Sequence, residues 1–327
     1  MTVSKTTDFN RSYGTVVLRG GRLTKWKGQA ASLSPSLGQL IASVSPVALG
    51  RALMVGASKT ATAAVLGGAG LIVTTSGASA ACDKVATGVY TCSGTMGNTD
   101  GNIDTTTTTN LLDVTVSPST TVNVTTGDAF ELKSNAGITF TNNNSEVTIT
   151  GADDGIRAEN DGAGALSITT TGTTTGGTRR KDGIYANNSS AGTSLTINAA
   201  TTTGGVDGIN AKNEGTGALN ITTSGAITGG TGYGIRTRTS ANKTTNITLN
   251  SGTVVSSTAG LGIYNNAGNS ITTVNTGASV AGKIALGKGI DILVLAGGDL
   301  SGVTQFDGGG GILDVLKFSG FSGSINC

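Results

Sequence analysis

Five segments decide the fold: Asp154-Gly-Ile-Arg-Ala158, Asp182-Gly-Ile-Tyr-Ala186, Asp207-Gly-Ile-Asn-Ala211, Tyr233-Gly-Ile-Arg-Thr237 and Leu261-Gly-Ile-Tyr-Asn265. They align without gaps, and their glycines fall at 155, 183, 208, 234 and 262. A second series lies between them: Leu166-Ser-Ile168, Leu195-Thr-Ile197, Leu219-Asn-Ile221, Ile247-Thr-Leu249 and, more weakly, Ile271-Thr-Thr273. Val122-Asn-Val124 and Val147-Thr-Ile149 extend that series backward, and Ala226–Ile227 with Val254–Val255 mark a fainter third one. Each element has period two, so the Ile and Ala of Gly-Ile-x-Ala share one face and the residue between them faces water. Strands this short cannot bury themselves alone. Stacked coil on coil, they place Ile on Ile and Ala on Ala, and every backbone group pairs with the coil above or below. The spacing predicts an all-β, right-handed parallel β-helix with coils of about 26 residues, whereas a propeller blade needs roughly 40–45. Residues 120–318 are expected to supply about seven or eight such coils. Asn160, Asn188 and Asn213 recur six residues after the repeat Asp. Two readings stand for them: a hydrogen-bonded column, or plain tolerance of a turn conformation.

Composition agrees with a thin, repeated core. The chain of 327 residues has 53 Gly, 3 Pro and no His, with 12% charged and 4% aromatic residues. Abundant Thr, Asn and Gly disfavour helix and favour strands joined by turns. Residues 1–80 carry eight Lys/Arg (Lys5, Arg11, Arg19, Arg22, Lys25, Lys27, Arg51, Lys59) against the single acid Asp8. The remainder is weakly acidic, which argues against a nucleic-acid partner, since that needs a clustered basic face. The only basic run, Arg179–Arg180–Lys181, reads as a solvated loop.

The N-terminal 80 residues read as a leader. Residues 61–73, ATAAVLGGAGLIV, are apolar, follow Arg51 and Lys59, and are succeeded by Ala78–Ser79–Ala80, an A-x-A cleavage signature. The expected cut lies between Ala80 and Ala81. The apolar run is too short for the roughly 20 residues of a membrane span. Cys82 and Cys92 then fall just inside the exported chain, within a cap region expected over 81–119. An oxidising compartment favours a disulfide between them. A zinc site fails because the chain has no His to complete four ligands. Cys327 is left over as the last residue.

Asn10-Arg-Ser-Tyr-Gly-Thr-Val-Val17 resembles the N-x-x-x-G-T-x-V segment of the extended signal peptide of bacterial autotransporters. Gly289-Ile-Asp-Ile-Leu-Val-Leu295 and Asp307-Gly-Gly-Gly-Gly-Ile-Leu-Asp-Val-Leu-Lys-Phe318 resemble the glycine-rich coils of autotransporter passengers. The resemblance implies a β-helix passenger over 120–327, displayed at the surface or in the periplasm of a Gram-negative cell. It also implies an outer-membrane β-barrel translocator as partner. A barrel needs at least eight alternating strands with aromatic girdles. Only Ser319–Cys327 follows the last recognisable coil, so the chain is expected to be a passenger lacking its barrel.

Three chemistries come into question for such a chain. Asp154, Asp182 and Asp207 should stack, and clustered carboxylates serve as acid, base or calcium ligands in β-helix lyases and hydrolases. Asp-Gly is also an ordinary turn signal, the column ends at Tyr233 and Leu261, and no Lys, Arg or His stands at a matched place beside it. The run Gly308–Asp314 resembles a calcium-binding nonapeptide, but Asp314 falls one residue late and no tandem copy follows. A Ser-His-Asp triad is excluded by the absence of His. The expectation is a non-catalytic adhesive or structural surface protein without cofactor, binding a host or extracellular glycan or protein. Tyr185 and Tyr264, outward at one repeat position, are its candidate contact residues. The alternative is a carbohydrate-active enzyme using Asp154, Asp182 and Asp207.

Overall fold

A computed structural model describes residues 15–18, 22–24, 81–178, 181–311 and 314–320. The described chain is all-β, a parallel β-helix of about nine turns with about 26 residues per turn. Three ladders of parallel strands run along it. The first stacks Val89–Ser93, Leu112–Val116, Ile138–Asn142, Leu166–Thr170, Leu195–Ala199, Leu219–Thr223, Thr244–Leu249, Asn269–Asn275, Asp291–Ala296 and Asp314–Phe318. The second, of shorter strands, stacks Thr95–Met96, Thr121–Asn123, Ile149–Thr150, Thr174–Thr175, Thr202–Thr203, Ala226–Gly229 and Val254–Ser257. The third carries the Gly-Ile-x-Ala repeat: Asn102–Thr105, Phe130–Ser134, Ile156–Asn160, Ile184–Asn188, Ile209–Asn213, Ile235–Thr239 and Leu261–Asn265. Toward the C-terminal end the second and third ladders merge in Ser279–Ala285, on which Asp299–Asp307 stacks.

The repeat supplies the core as expected. Ile156, Ile184, Ile209, Ile235 and Ile263 lie directly over one another and are fully buried, as are Ala158 and Ala186. The glycine before each Ile has a packing reason. A Cβ on Gly183 would stand 2.6 Å from the carbonyl oxygen of Gly208, and one on Gly155 the same distance from that of Gly183. Coils stacked this closely admit no side chain at that corner.

Two parts of the sequence register shift. Val122 and Ile149 belong to the short second ladder, and the true earlier members of the Leu-x-Ile series are Leu112-Asp-Val114 and Ile138-Thr-Phe140. Ile271 pairs with Asn246 and faces outward, while Ser270, Thr272 and Val274 point into the core. Ladder pairing overrides local hydrophobicity there, because slipping one residue would turn every side chain of that strand to the other face. The coils also begin before residue 120. Val89–Ser93 already belongs to the first ladder, and Ala81–Ala86 folds back on it antiparallel, with Cys82 opposite Cys92 and joined to it by a disulfide. At the other end Thr15–Leu18 pairs antiparallel with Asp314–Phe318, and Arg22–Thr24 with Asp299–Asp307. Ala80 and Cys327 lie outside the described residues.

The asparagines form a column. Asn160 Nδ2 donates to Asn188 Oδ1 at 2.7 Å, and Asn188 Nδ2 to Asn213 Oδ1 at 2.8 Å. Spare amide protons reach turn carbonyls such as Gly162, Thr193 and Gly217. All three side chains are fully buried, so each bond is made where water cannot replace it. Asn188→Ala leaves the Asn160 donor and the Asn213 acceptor without their column partners. It is expected to lower stability by on the order of 2–4 kcal/mol in urea melts, whereas the exposed Asn143→Ala should leave the midpoint unchanged.

Candidate functional site

The strand starts of the third ladder carry a column of carboxylates. Asp128 Oδ1 accepts the Asp154 N–H at 2.7 Å, and Asp154 Oδ1 accepts that of Asp182 at 2.7 Å. Asp182 Oδ1 accepts the N–H of Asp207 at 3.0 Å, and Asp207 Oδ1 that of Tyr233 at 2.6 Å. Each side chain thus caps a backbone group of the next coil where the chain leaves the ladder. The second oxygens turn toward lateral partners. Asp182 Oδ2 accepts from Asn210 Nδ2 at 2.9 Å, while Arg157 and Arg236 stand 3.7 and 3.8 Å from Asp154 and Asp207.

Sequence reasoning found three of these acids and missed Asp128, which precedes Ala instead of Gly. It also missed both arginines. Both occupy the same repeat position, but Arg157 follows Asp154 by three residues within one coil, whereas Arg236 belongs to the coil after Asp207, and only stacking brings it alongside. Arg179 and Arg180 lie outside the described residues, and Lys181 pairs with Asp153 at 3.0 Å. Burial pushes the Asp154 and Asp207 carboxyls up to about 6; the backbone bonds they accept pull the other way, and the neighbouring carboxylates of the column push them further up. Burial raises Asp128 and Asp182 as well. Among the described residues no three His, Cys, Asp or Glu side chains converge as a metal cluster.

The outward positions of the same ladder form two rows. One runs Glu131, Arg157, Tyr185, Asn210, Arg236, Tyr264; the other runs Lys133, Glu159, Asn187, Lys212, Arg238. Tyr185 and Tyr264 therefore do share a row, three coils apart. The Arg157 guanidinium lies 5.0 Å from the Tyr185 ring centre. Tyr264 stacks on Tyr233 at 4.9 Å with an interplanar angle of 17°, and its hydroxyl donates to Asn266 Oδ1. Arg157 also reaches Glu159 at 2.7 Å, and Lys212 reaches Glu214 at 2.9 Å. Arg236 and Arg238 keep 47% and 55% of their side-chain surface exposed. The outward rows of the first ladder differ in kind. Beyond Asp113, which heads the first row, Thr139, Ser167, Thr196, Asn220 and Asn246 stack beside Thr141, Thr169, Asn198, Thr222 and Thr248 with no charge among them. Aromatic rings and guanidinium groups, which recognise polar ligands, are thus concentrated on the third ladder.

The carboxylate column makes a signed pH prediction. The folded Asp207 carboxyl titrates near 6 against the ordinary value of 3.8. Its contribution to stability is therefore present at low pH and lost as pH rises through about 6. Asp207→Asn keeps the Oδ1 acceptor and removes the buried charge. Its thermal midpoint should match the native protein near pH 4 and exceed it near pH 7.5. Asp207→Ala removes the acceptor and should cost on the order of 1–3 kcal/mol at both pH values.

No family description, no curated protein and no solved structure matches this chain.

Proposed function

We propose that this chain is an exported, non-catalytic adhesive β-helix of the autotransporter-passenger type, and that it binds its ligand through the outward rows of the third ladder. The observation that carries the reading is the row Arg157–Tyr185–Asn210–Arg236–Tyr264 on a rigid ladder, with two exposed arginines next to a stacked tyrosine pair. Guanidinium and aromatic groups held on a rigid support are the residues that dominate recognition energies, and a repeated row adds weak contacts by multivalency. The ligand is an extracellular glycan or protein. The leader delivers the chain to the periplasm with cleavage between Ala80 and Ala81, and an outer-membrane β-barrel translocator serves as partner. The carboxylates suit structure better than catalysis, since each of Asp128, Asp154, Asp182 and Asp207 commits one oxygen to a backbone N–H.

Binding of the purified protein to an array of glycans and matrix proteins tests the reading. Arg236→Ala and Tyr264→Ala are each expected to weaken the strongest signal about tenfold or more, with unchanged circular dichroism. Binding untouched by both changes, or polysaccharide turnover abolished by Asp182→Asn, would overturn it. N-terminal sequencing of exported material should return Ala81; a chain beginning at Met1 would remove the leader.

A further inference from the structure

Two carboxylates in the last coils lack the partners that serve the column above. Asp291 and Asp314 open adjacent strands of the first ladder, one coil apart, with Ser270 in the same column below. Both are buried, at 0% and 4% exposure. The Ser270 hydroxyl donates to Asp291 Oδ1 at 2.7 Å. The backbone N–H groups of Ser270 and Asp291 favour the charged forms of Asp291 and Asp314. Asp291 Oδ2 and Asp314 Oδ1 have no hydrogen-bond partner. Among the described residues no lysine or arginine forms an ion pair with either acid.

The turns entering these strands are glycine-rich and stacked. Gly287-Lys-Gly289 leads to Asp291 and Gly308-Gly-Gly-Gly311 leads to Asp314, with the Gly310 N–H donating to the Gly287 carbonyl at 2.9 Å. Gly287 and Gly309 have φ of 83° and 81°. A Cβ on Gly308 would strike Asp314 Oδ2, and one on Gly311 would lie 3.1 Å from Asp314 Oδ1. Only glycine therefore fits where these turns pass the carboxylate. The shorter turn Gly287-Lys-Gly289 of the preceding coil stacks directly on the 308–311 turn.

We propose that Asp291 and Asp314, with carbonyl oxygens of the stacked turns 287–289 and 308–311, bind a calcium ion between the last two coils. Two buried like charges separated by one coil rise, roughly 4.8 Å, need a counter-charge or a proton. The donors are all hard oxygens, which suits calcium over zinc or copper. Irregular glycine turns supply the many, loosely ordered oxygens that calcium accepts and octahedral magnesium does not. Affinity should fall with that of extracellular calcium modules, a Kd on the order of 10⁻⁴ to 10⁻³ M.

The test is thermal melting of the purified full chain in chelator and in rising calcium chloride, with equilibrium dialysis against radiolabelled calcium. The midpoint should climb with the logarithm of calcium concentration once the Kd is passed, while equal magnesium gives a small part of the shift. Asp314→Asn removes the repulsion, so it should melt higher than the native chain in chelator and lose both the calcium response and the bound label. Asp291→Asn should behave alike and decides the matter should the first variant not fold. Absence of bound calcium at millimolar concentration, or binding that survives both substitutions, would overturn the proposal. Neither readout depends on whether the third ladder binds a glycan.

Discussion

Everything in this fold depends on the pairing of each coil's backbone with the coils on either side, at a rise of roughly 4.8 Å. That spacing is too small for a side chain wherever the chain turns inward, hence the glycine column at 155, 183, 208 and 234. It also sets like residues over like residues, so the core consists of ladders of Ile and Ala instead of an irregular packing of large side chains. A chain with 4% aromatic residues can build such a core, because burial accumulates along the rod and no central volume has to be filled.

Ladders satisfy the strands but leave the corners, where N–H and C=O groups point away from any neighbouring strand. Two side-chain columns close those corners at opposite ends of the same strand. Before Ile184–Asn188, Asp182 accepts an N–H from the next coil; at its end, Asn188 both accepts from Asn160 and donates onward. The chemistry of the gap selects the residue. An N–H needs only an acceptor, which a carboxylate provides, while a corner that also presents carbonyls needs an amide that can donate. The carboxylate choice brings buried charge with it, and Arg157 and Arg236 sit where they offset it. The acids at 291 and 314 solve the same corner problem without an ion pair to any lysine or arginine among the described residues, which is the physical ground for placing a cation there.

The Gly-Ile-x-Ala period, the inward Ile, the all-β solenoid and the Cys82–Cys92 bond could all be read from sequence, since each rests on spacing or on neighbours a few residues apart. The phase of Ile271 could not. Apolar-x-apolar describes strands of both the first and second ladders, so Val147-Thr-Ile149 and Leu166-Ser-Ile168 look alike until pairing separates them. Inward Thr174 and Thr202 were hidden because buried threonines in a narrow corner carry no hydrophobic signal. The candidate site was half legible. Tyr185 and Tyr264 share a row because the repeat says so, but Tyr233 stacks on Tyr264 from the carboxylate column, a lateral contact between two positions of the repeat that alignment treats as unrelated.

A solenoid retains two open ends, and the two ends here are closed by different means. The N-terminal edge is covered by the hairpin Ala81–Ala86, which the disulfide ties to its partner strand. The C-terminal edge is covered by Thr15–Leu18 and Arg22–Thr24, residues of the segment proposed to be removed on export. An unpaired, apolar edge strand such as Asp314–Phe318 invites pairing with other chains. Cleavage would therefore leave the first edge locked and expose the second. A calcium ion shared by Asp291 and Asp314 would join the last strand to the one beneath it through side chains, in addition to their backbone ladder. It would do so at the coil that loses its partners, and it would bind more readily in a calcium-rich medium outside the cell than before export.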